Sequence, residues 1–215
     1  MKIAILASLK DRTAAQSDAL VRAHRKLCND LVEWRKTQYS VCPYLKDRIN
    51  AVDPTSPEQE TLFLPSFFTH PERERFGMTE LAKCEYDLRL GQAHDALEEV
   101  QTKIKIFNAN LDFKKQNVYG QKPNTRAQQY LRTLSDDKIS AADKYRRARA
   151  ALLQLGLSGC DSSLRALHDD ELWGKDTSRP ARLGDSKKEE PWFWTVGLPS
   201  GLSETERSEW SVECE

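Results

Sequence analysis

Clustered carboxylates are the side chains of this chain that come closest to a metal-binding pattern. Asp136 and Asp137 are adjacent, and residues 169–171 read Asp-Asp-Glu. Metal-dependent phosphoryl chemistry needs ligands that converge on the ion from separate elements, whereas a local acidic run is usually a solvated face. We therefore predict no metal site and no bound cofactor.

Nucleophiles and general bases are scattered in the same way. The four histidines are isolated, and His94 with Asp95 has the spacing of an exposed pair on a helix surface. The sequence contains no phosphate-binding loop, dinucleotide-binding motif, zinc-protease motif or nucleophile elbow. Five cysteines without a CxxC pair indicate a reducing compartment rather than a disulfide framework or a zinc site. We predict that the protein is not an enzyme and has no small-molecule substrate.

Basic side chains give the clearest interaction pattern. Lys144, Arg146, Arg147 and Arg149 cluster within one predicted helix, and such a cluster can contact nucleic-acid phosphates. Acidic neighbours such as Glu99 favour ordinary ion pairing between helices instead. Five more cations lie around a predicted turn: Lys114, Lys115, Lys122, Arg126 and Arg132.

Aromatic residues mark a second candidate surface. Trp192, Phe193 and Trp194 open an apolar segment, residues 192–202, within an otherwise polar tail. We predict that this segment is a docking element. Burial against the base of the helical hairpin described below is the favoured interpretation, and docking on a partner protein is the alternative.

Two apolar stripes at heptad spacing must position these residues. Steps of four and three repeat in both stripes, a pattern that keeps two helices in register along one seam. Lys138 is the one charged interruption. The first stripe is Tyr86, Leu90, Ala93, Leu97, Val100, Ile104, Phe107 and Leu111; the second is Ala127, Leu131, Leu134, Lys138, Ala141, Tyr145, Ala148, Leu152 and Leu155.

The stripes predict an all-α fold built on a long antiparallel coiled-coil hairpin, with arms at about residues 79–117 and 124–156. Asn124 is the expected N-cap of the second arm and Gly156 the expected C-cap. An N-terminal helix at about residues 9–38 is expected to pack with the hairpin, and Pro43 ends it. An irregular strap should occupy residues 43–76. We predict a helical domain at residues 1–156 and a mostly irregular tail at residues 157–215.

Composition agrees with exposed, elongated helices. Charged residues make up 31% of the chain, above the usual ~25%, and hydrophobic residues 39%, below the usual ~45–50%. The 33 basic and 33 acidic residues cancel, so net charge does not draw the chain to nucleic acid or membranes. No apolar run reaches the ~20 residues of a membrane span, and residues 1–10 lack a convincing signal-peptide pattern. We expect an intracellular protein, nuclear or cytoplasmic and not secreted.

Seven segments form an ordered series of short matches to one protein family: residues 33–38, 57–58, 62–66, 81–97, 124–127, 141–152 and 192–194. The series covers most of the chain, and its best block is residues 88–97. It resembles the C-terminal region of fungal Kyakuja–Dileera–Zisupton (KDZ) transposases. The family's nuclease core and its acidic triad lie upstream of this region, so the resemblance implies no catalytic residue here.

These observations lead to one functional expectation with two alternatives. We expect a non-catalytic helical module, derived from a KDZ-type transposase, that mediates protein association or self-association. The first alternative is a DNA-contacting helical arm that uses Lys144, Arg146, Arg147 and Arg149. The second is a transposon remnant without a function.

Overall fold

The structure, a computed structural model, describes residues 13–46, 56–174 and 190–196. The described residues form helices, turns and extended segments and contain no β-strand, which confirms the all-α fold. The chain divides into two compact units, Met1–Tyr86 and Asp87–Glu215. The α-helices are α1 (Ala14–Val41), α2 (His70–Arg75), α3 (Thr79–Asn117) and α4 (Gln121–Leu155).

Capping groups define both ends of α1. The Thr13 hydroxyl accepts from the backbone N–H of Gln16, whose side chain accepts from the backbone N–H of Thr13, and the two bonds form a capping box. Cys42 closes the helix directly before Pro43, the residue expected to end it. The predicted start near residue 9 lies outside the described residues.

Helix α4 begins earlier than predicted. Gly120, with a φ of 87°, is its N-cap, and the helix starts at Gln121 rather than at Asn124. Pro123 lies in the first turn of the helix, where a backbone N–H has no intrahelical partner, so it does not prevent the earlier start. The other end is confirmed: Gly156 takes the left-handed conformation, φ 116°, directly after Leu155.

The heptad stripes form the core of the hairpin. Glu99 pairs with Lys144 and Lys103 with Asp137, so the arms run antiparallel. Most stripe residues in the middle of both arms are at most 9% exposed, and Lys138 is half-buried. The buried residues are Ala93, Leu97, Val100 and Ile104 on α3, and Leu131, Leu134, Ala141, Tyr145, Ala148 and Leu152 on α4.

The residues between α1 and α3 contain a helix that the sequence prediction missed. Residues 43–76 were predicted to be irregular throughout, yet His70–Arg75 is helical. Thr69 and Glu72 form a capping box at its start, and Pro71 lies in its first turn. The rest of the described strap consists of extended residues and single 3-10 turns, each of which begins with a proline (Pro43, Pro57 and Pro65).

Side chains of α1 hold the extended part of this strap. Arg35, 5% exposed, donates to the carbonyl oxygens of Thr61 and Leu62 and lies 3.6 Å from Glu60. The Gln38 amide donates to the carbonyl oxygens of Leu62, at 3.0 Å, and Phe63, at 2.8 Å. These carbonyl groups belong to no helix or strand, so side chains of α1 supply their hydrogen-bond donors.

A small apolar cluster closes the same unit. Cys42, Leu45, Phe68 and Met78 are buried, and Tyr39, Phe63 and Phe76 pack against them. Burial raises the pKa of the Cys42 thiol, which keeps it protonated. Our prediction that the N-terminal helix packs with the hairpin concerns how the two units are arranged and stays a prediction.

The residues after α4 belong to the hairpin unit. A domain boundary was predicted at residue 156, but the structure divides the chain between Tyr86 and Asp87, inside α3. Leu164, Leu167, Leu172 and Phe193 are buried, so the described tail is part of this unit's core. No helix in the described ranges is long and apolar enough to cross a membrane.

Replacing Arg35 tests whether the strap between α1 and α3 depends on this side chain. We expect Arg35→Met to lower the free energy of unfolding by about 2 kcal/mol, since it removes the donor of the partly buried Thr61 carbonyl, one of the donors of the Leu62 carbonyl, and the cation beside Glu60. Urea denaturation followed by circular dichroism measures the change. Arg35→Lys should restore only part of it, because one ammonium cannot reproduce the guanidinium fork. A loss below about 1 kcal/mol for Arg35→Met would contradict this account.

Replacing Lys138 tests the charged interruption of the seam. Its Nζ lies 4.0 Å from the centre of the Phe107 ring and 3.4 Å from the carbonyl oxygen of Leu172, and burial lowers its pKa. The charged form is therefore disfavoured in the folded state. We expect Lys138→Met to stabilise the protein at neutral pH.

The pH dependence distinguishes this explanation from improved packing alone. Below the lowered pKa of folded Lys138 the desolvation penalty is complete. It disappears as the pH rises from that pKa toward the ~10.4 of an unfolded lysine, so wild-type stability rises across this window. The advantage of Lys138→Met in urea denaturation should shrink across the same window. A constant advantage would show that packing, not charge, causes it.

Candidate interaction surfaces of the hairpin

The predicted phosphate-binding cluster lies where the tail crosses α4, and Arg146 is its most engaged member. Arg146 Nε donates to the carbonyl oxygen of Leu167 at 2.9 Å, and its terminal nitrogens lie 2.9 Å from Asp143 and 2.6 Å from Asp169. One guanidinium therefore joins helix α4 to the segment that follows it, and its charge is already paired with two carboxylates.

Arg149 and Tyr145 hold the beginning of the same segment. Arg149 Nε donates to the carbonyl oxygen of Leu164 at 2.8 Å, and the Tyr145 hydroxyl donates to that of Arg165 at 2.6 Å. Tyr145 is fully buried, and burial raises its pKa, so its hydroxyl remains a donor. Asp161 fixes the turn before Leu164 by accepting from the backbone N–H groups of Ser163 and Leu164.

The other two members of the cluster differ from each other. Lys144 contacts both carboxylate oxygens of Glu99, at 2.7 and 2.8 Å, across the seam. Arg147 is exposed, and within the described part of the chain it has no hydrogen-bond or ion-pair partner. The structure thus places three of the four predicted cations in intramolecular contacts. Their predicted contact with nucleic acid is untested and stays a prediction.

The aromatic segment docks on the hairpin itself. Phe193 is fully buried, and Gln101 of α3 donates to its carbonyl oxygen at 2.7 Å. The Trp192 ring lies 5.9 Å from that of Tyr145, and Trp194 Nε1 donates to the carbonyl oxygen of Trp173 at 3.0 Å. Contacts with Gln101 and Tyr145 put the segment along the middle of the arms rather than at their base. Residues 197–202 of the predicted docking segment lie outside the described residues.

A close contact joins the two described parts of the tail. Trp194 lies against the backbone of Gly174, whose carbonyl oxygen accepts from Asn108 of α3 at 3.3 Å. A Cβ atom at position 174 would come within 2.9 Å of Trp194 Cε2, closer than folded proteins allow. Glycine is therefore needed here because the indole ring occupies the space of a side chain.

These contacts define a C-terminal strap, residues 157–174 and 190–196, which sequence reasoning did not recognise as a structural element. The strap runs antiparallel to α4. The carbonyl oxygen of Leu164 accepts from Arg149, near the end of α4, and that of Leu172 accepts from Lys138, nearer its start. The signal in the sequence was weak: Leu164, Leu167 and Leu172 are irregularly spaced and follow neither a helical nor a strand period.

Metal-binding side chains are not brought together in the described residues. No three His, Cys, Asp or Glu side chains there are arranged to hold a metal ion. Asp169 of the acidic run at residues 169–171 pairs with Arg146, and Asp137 with Lys103. His24 Nε2 lies 3.3 Å from Glu58, and His94 is exposed on α3.

Comparison of the chain with protein-family models, with curated proteins and with solved structures gives no match.

Gly174 offers a test of how the strap is attached. We expect Gly174→Ala to lower the free energy of unfolding by about 1–3 kcal/mol, because the new methyl group displaces Trp194. Thermal unfolding measures the loss, and acrylamide quenching should show greater access to tryptophan. Gly159→Ala is the matched control, since a Cβ atom there meets nothing within 4 Å. Equal stability of the two variants would contradict the docking of Trp194 against Gly174.

Proposed function

We propose that the chain is a non-catalytic helical module that mediates protein association and derives from a KDZ-type transposase. The ordered resemblance along most of the sequence supports the origin. The observation that carries the association is an apolar stripe on α1 that the rest of its unit leaves uncovered.

The stripe consists of Val21, Cys28 and Val32. Val21 is 55% exposed and Val32 43% exposed, and Cys28 between them is half-buried. Spacings of seven and eleven residues put the three side chains within about 40° of one another around a helix. The stripe lies at the edge of the face that carries the buried Leu20 and Leu31. The apolar face of α1 is therefore wider than the part that its own unit covers.

Charged side chains border this stripe. Lys36 lies about 60° around α1 from Val21, beside the stripe, and pairs with Glu33 at 2.7 Å; Lys26 and Asp30, paired at 2.8 Å, lie on the far side of the helix. An exposed apolar surface with a polar rim is typical of a protein–protein contact. A helix with this pattern can pair with another helix along the stripe, as amphipathic helices do in helix–helix association.

Lysine substitutions in the stripe test the proposal. We expect the wild-type protein to self-associate reversibly in sedimentation velocity. Val21→Lys with Val32→Lys should weaken association at least tenfold, since burial of one valine contributes roughly 1.5 kcal/mol and an unpaired lysine opposes burial.

The control is the same valine-to-lysine substitution at another position of the same helix. Val41 is 58% exposed and lies about 160° around α1 from Val21, so Val41→Lys should leave the association unchanged. A strictly monomeric wild-type protein would refute self-association and favour the interpretation as a remnant without function. Equal weakening by Val41→Lys would show that the effect is general electrostatic repulsion.

A further inference from the structure

The turn end of the hairpin concentrates positive charge in a chain whose net charge is zero. Between residues 105 and 133 there are six Lys or Arg residues and one acidic residue, Asp112. Lys115 lies 3.3 Å from Asp112, and Lys114 donates to Gln128 at 2.7 Å. Lys122, Arg126 and Arg132 are exposed. We call residues 105–133 the hairpin tip.

Large aromatic side chains are exposed on the same tip. Tyr119 is 77% exposed, Phe113 62% and Tyr130 53%. These rings are absent from the seam, and within the described residues no aromatic contact involves them. The Tyr119 hydroxyl donates to the carbonyl oxygen of Gln116 at 2.8 Å, which holds its ring beside the turn.

Heptad geometry puts Phe113 and Tyr130 on one side of the hairpin. The Lys103–Asp137 ion pair joins the arms on this side. Tyr130 precedes Asp137 by seven residues, so it repeats that position two turns closer to the turn. Phe113 follows Lys103 by ten residues. This spacing puts it next to the Lys103 position around α3, on the same side of the hairpin but farther from the seam. The C-terminal strap is bonded to Gln101 and Asn108, on the opposite side, and leaves these rings uncovered.

The start of α4 adds to the positive potential. Gly120 provides no side-chain cap for α4, so the first backbone N–H groups of the helix have no side-chain acceptor. These groups carry the positive end of the helix dipole, which favours anions. At the end of α3, by contrast, side chains already donate to the carbonyl oxygens of Phe113 and Gln116.

Exposed rings between cations match the chemistry of unpaired nucleotides. A single strand offers phosphates to the cations and base faces to the aromatic rings, and stacking of this kind tolerates any sequence. In a duplex the base faces are stacked on one another and out of reach. A protein partner would be favoured by a continuous apolar surface, but Asn110, Asn117 and charged side chains separate these rings.

We propose that the hairpin tip binds single-stranded nucleic acid, with Phe113 and Tyr130 stacking on bases and Lys122 and Arg126 contacting phosphates. This site is separate from the α1 stripe and does not depend on self-association. It also differs from the predicted cluster on α4, where three of the four cations are engaged within the chain.

Fluorescence anisotropy with the full chain tests the proposal. The probes are labelled DNA and RNA strands of about 20 nucleotides, longer than the ~4–16-nucleotide sites of typical single-strand-binding folds, and a duplex of the same length. We expect the single strands to bind more tightly than the duplex, with an affinity that falls as salt rises. Comparison of the DNA and RNA strands identifies which nucleic acid is preferred.

Matched variants separate stacking from charge. Phe113→Ala with Tyr130→Ala should weaken single-strand binding roughly tenfold or more, whereas Phe113→Trp, which keeps an aromatic face, should preserve it. Lys122→Gln with Arg126→Gln should weaken binding and reduce the slope of log K against log salt by about 1.4. Arg22→Gln with Arg25→Gln, which removes two exposed charges from α1, should leave binding unchanged. Circular dichroism verifies that each variant is folded.

Three results would overturn the proposal. The first is no binding of any strand at low salt. The second is duplex binding as tight as single-strand binding together with full affinity of the alanine variants, which would show a general attraction of polyanions. The third is an equal loss for the Arg22 and Arg25 double variant and for Lys122→Gln with Arg126→Gln, which would show that the contact is not specific to the tip.

Discussion

The structure depends on one constraint: extended backbone that lies on a helix must find donors for its carbonyl groups. A buried carbonyl without a partner costs about 1–3 kcal/mol, and an extended segment cannot supply its own partners as a helix does. In this chain the donors come from long polar side chains on the helices beneath. Arg35 and Gln38 serve residues 61–63 in the first unit. Arg146, Arg149 and Gln101 serve the C-terminal strap in the second.

The same constraint explains why cationic and amide side chains lie at buried positions. An arginine has several donors in a fixed fork, so one residue can bond two carbonyls and a carboxylate together. Arg35 does this while its guanidinium lies 4.8 Å from the centre of the Phe63 ring. Phe63 has a φ of 49°, an unfavourable conformation for a residue other than glycine. Bonds from Gln38 and the contact with Arg35 hold it there, so α1 determines the conformation of the strap that crosses it.

The three long helices followed from the sequence, whereas the short helix α2 and the extended straps did not, for a physical reason. The hairpin is specified locally: apolar residues recur with the period of a coiled coil, Pro43 and Gly156 end helices, and the stripe residues from Ala93 to Ile104 are buried as the spacing requires. A strap is specified by partners far away in sequence, such as Gln101 for Phe193. No repeating sequence pattern indicates such contacts. Trp192, Phe193 and Trp194 were visible as an apolar group, but their position along the arms depends on where Tyr145 and Gln101 lie.

The constraint also separates the two basic regions of the hairpin, which the sequence alone made look alike. A lysine or arginine beside a strap is used by the fold, because carbonyl and carboxylate oxygens are within its reach; Arg146 and Arg149 are in this position. Lys122 and Arg126 lie beyond the described strap and have no hydrogen-bond or ion-pair partner among the described residues. The described residues of the strap bond no closer to the turn than Asn108, and Lys122 and Arg126 on α4 are exposed together with Phe113 and Tyr130. The length of the strap therefore decides which part of the hairpin surface remains open to a partner.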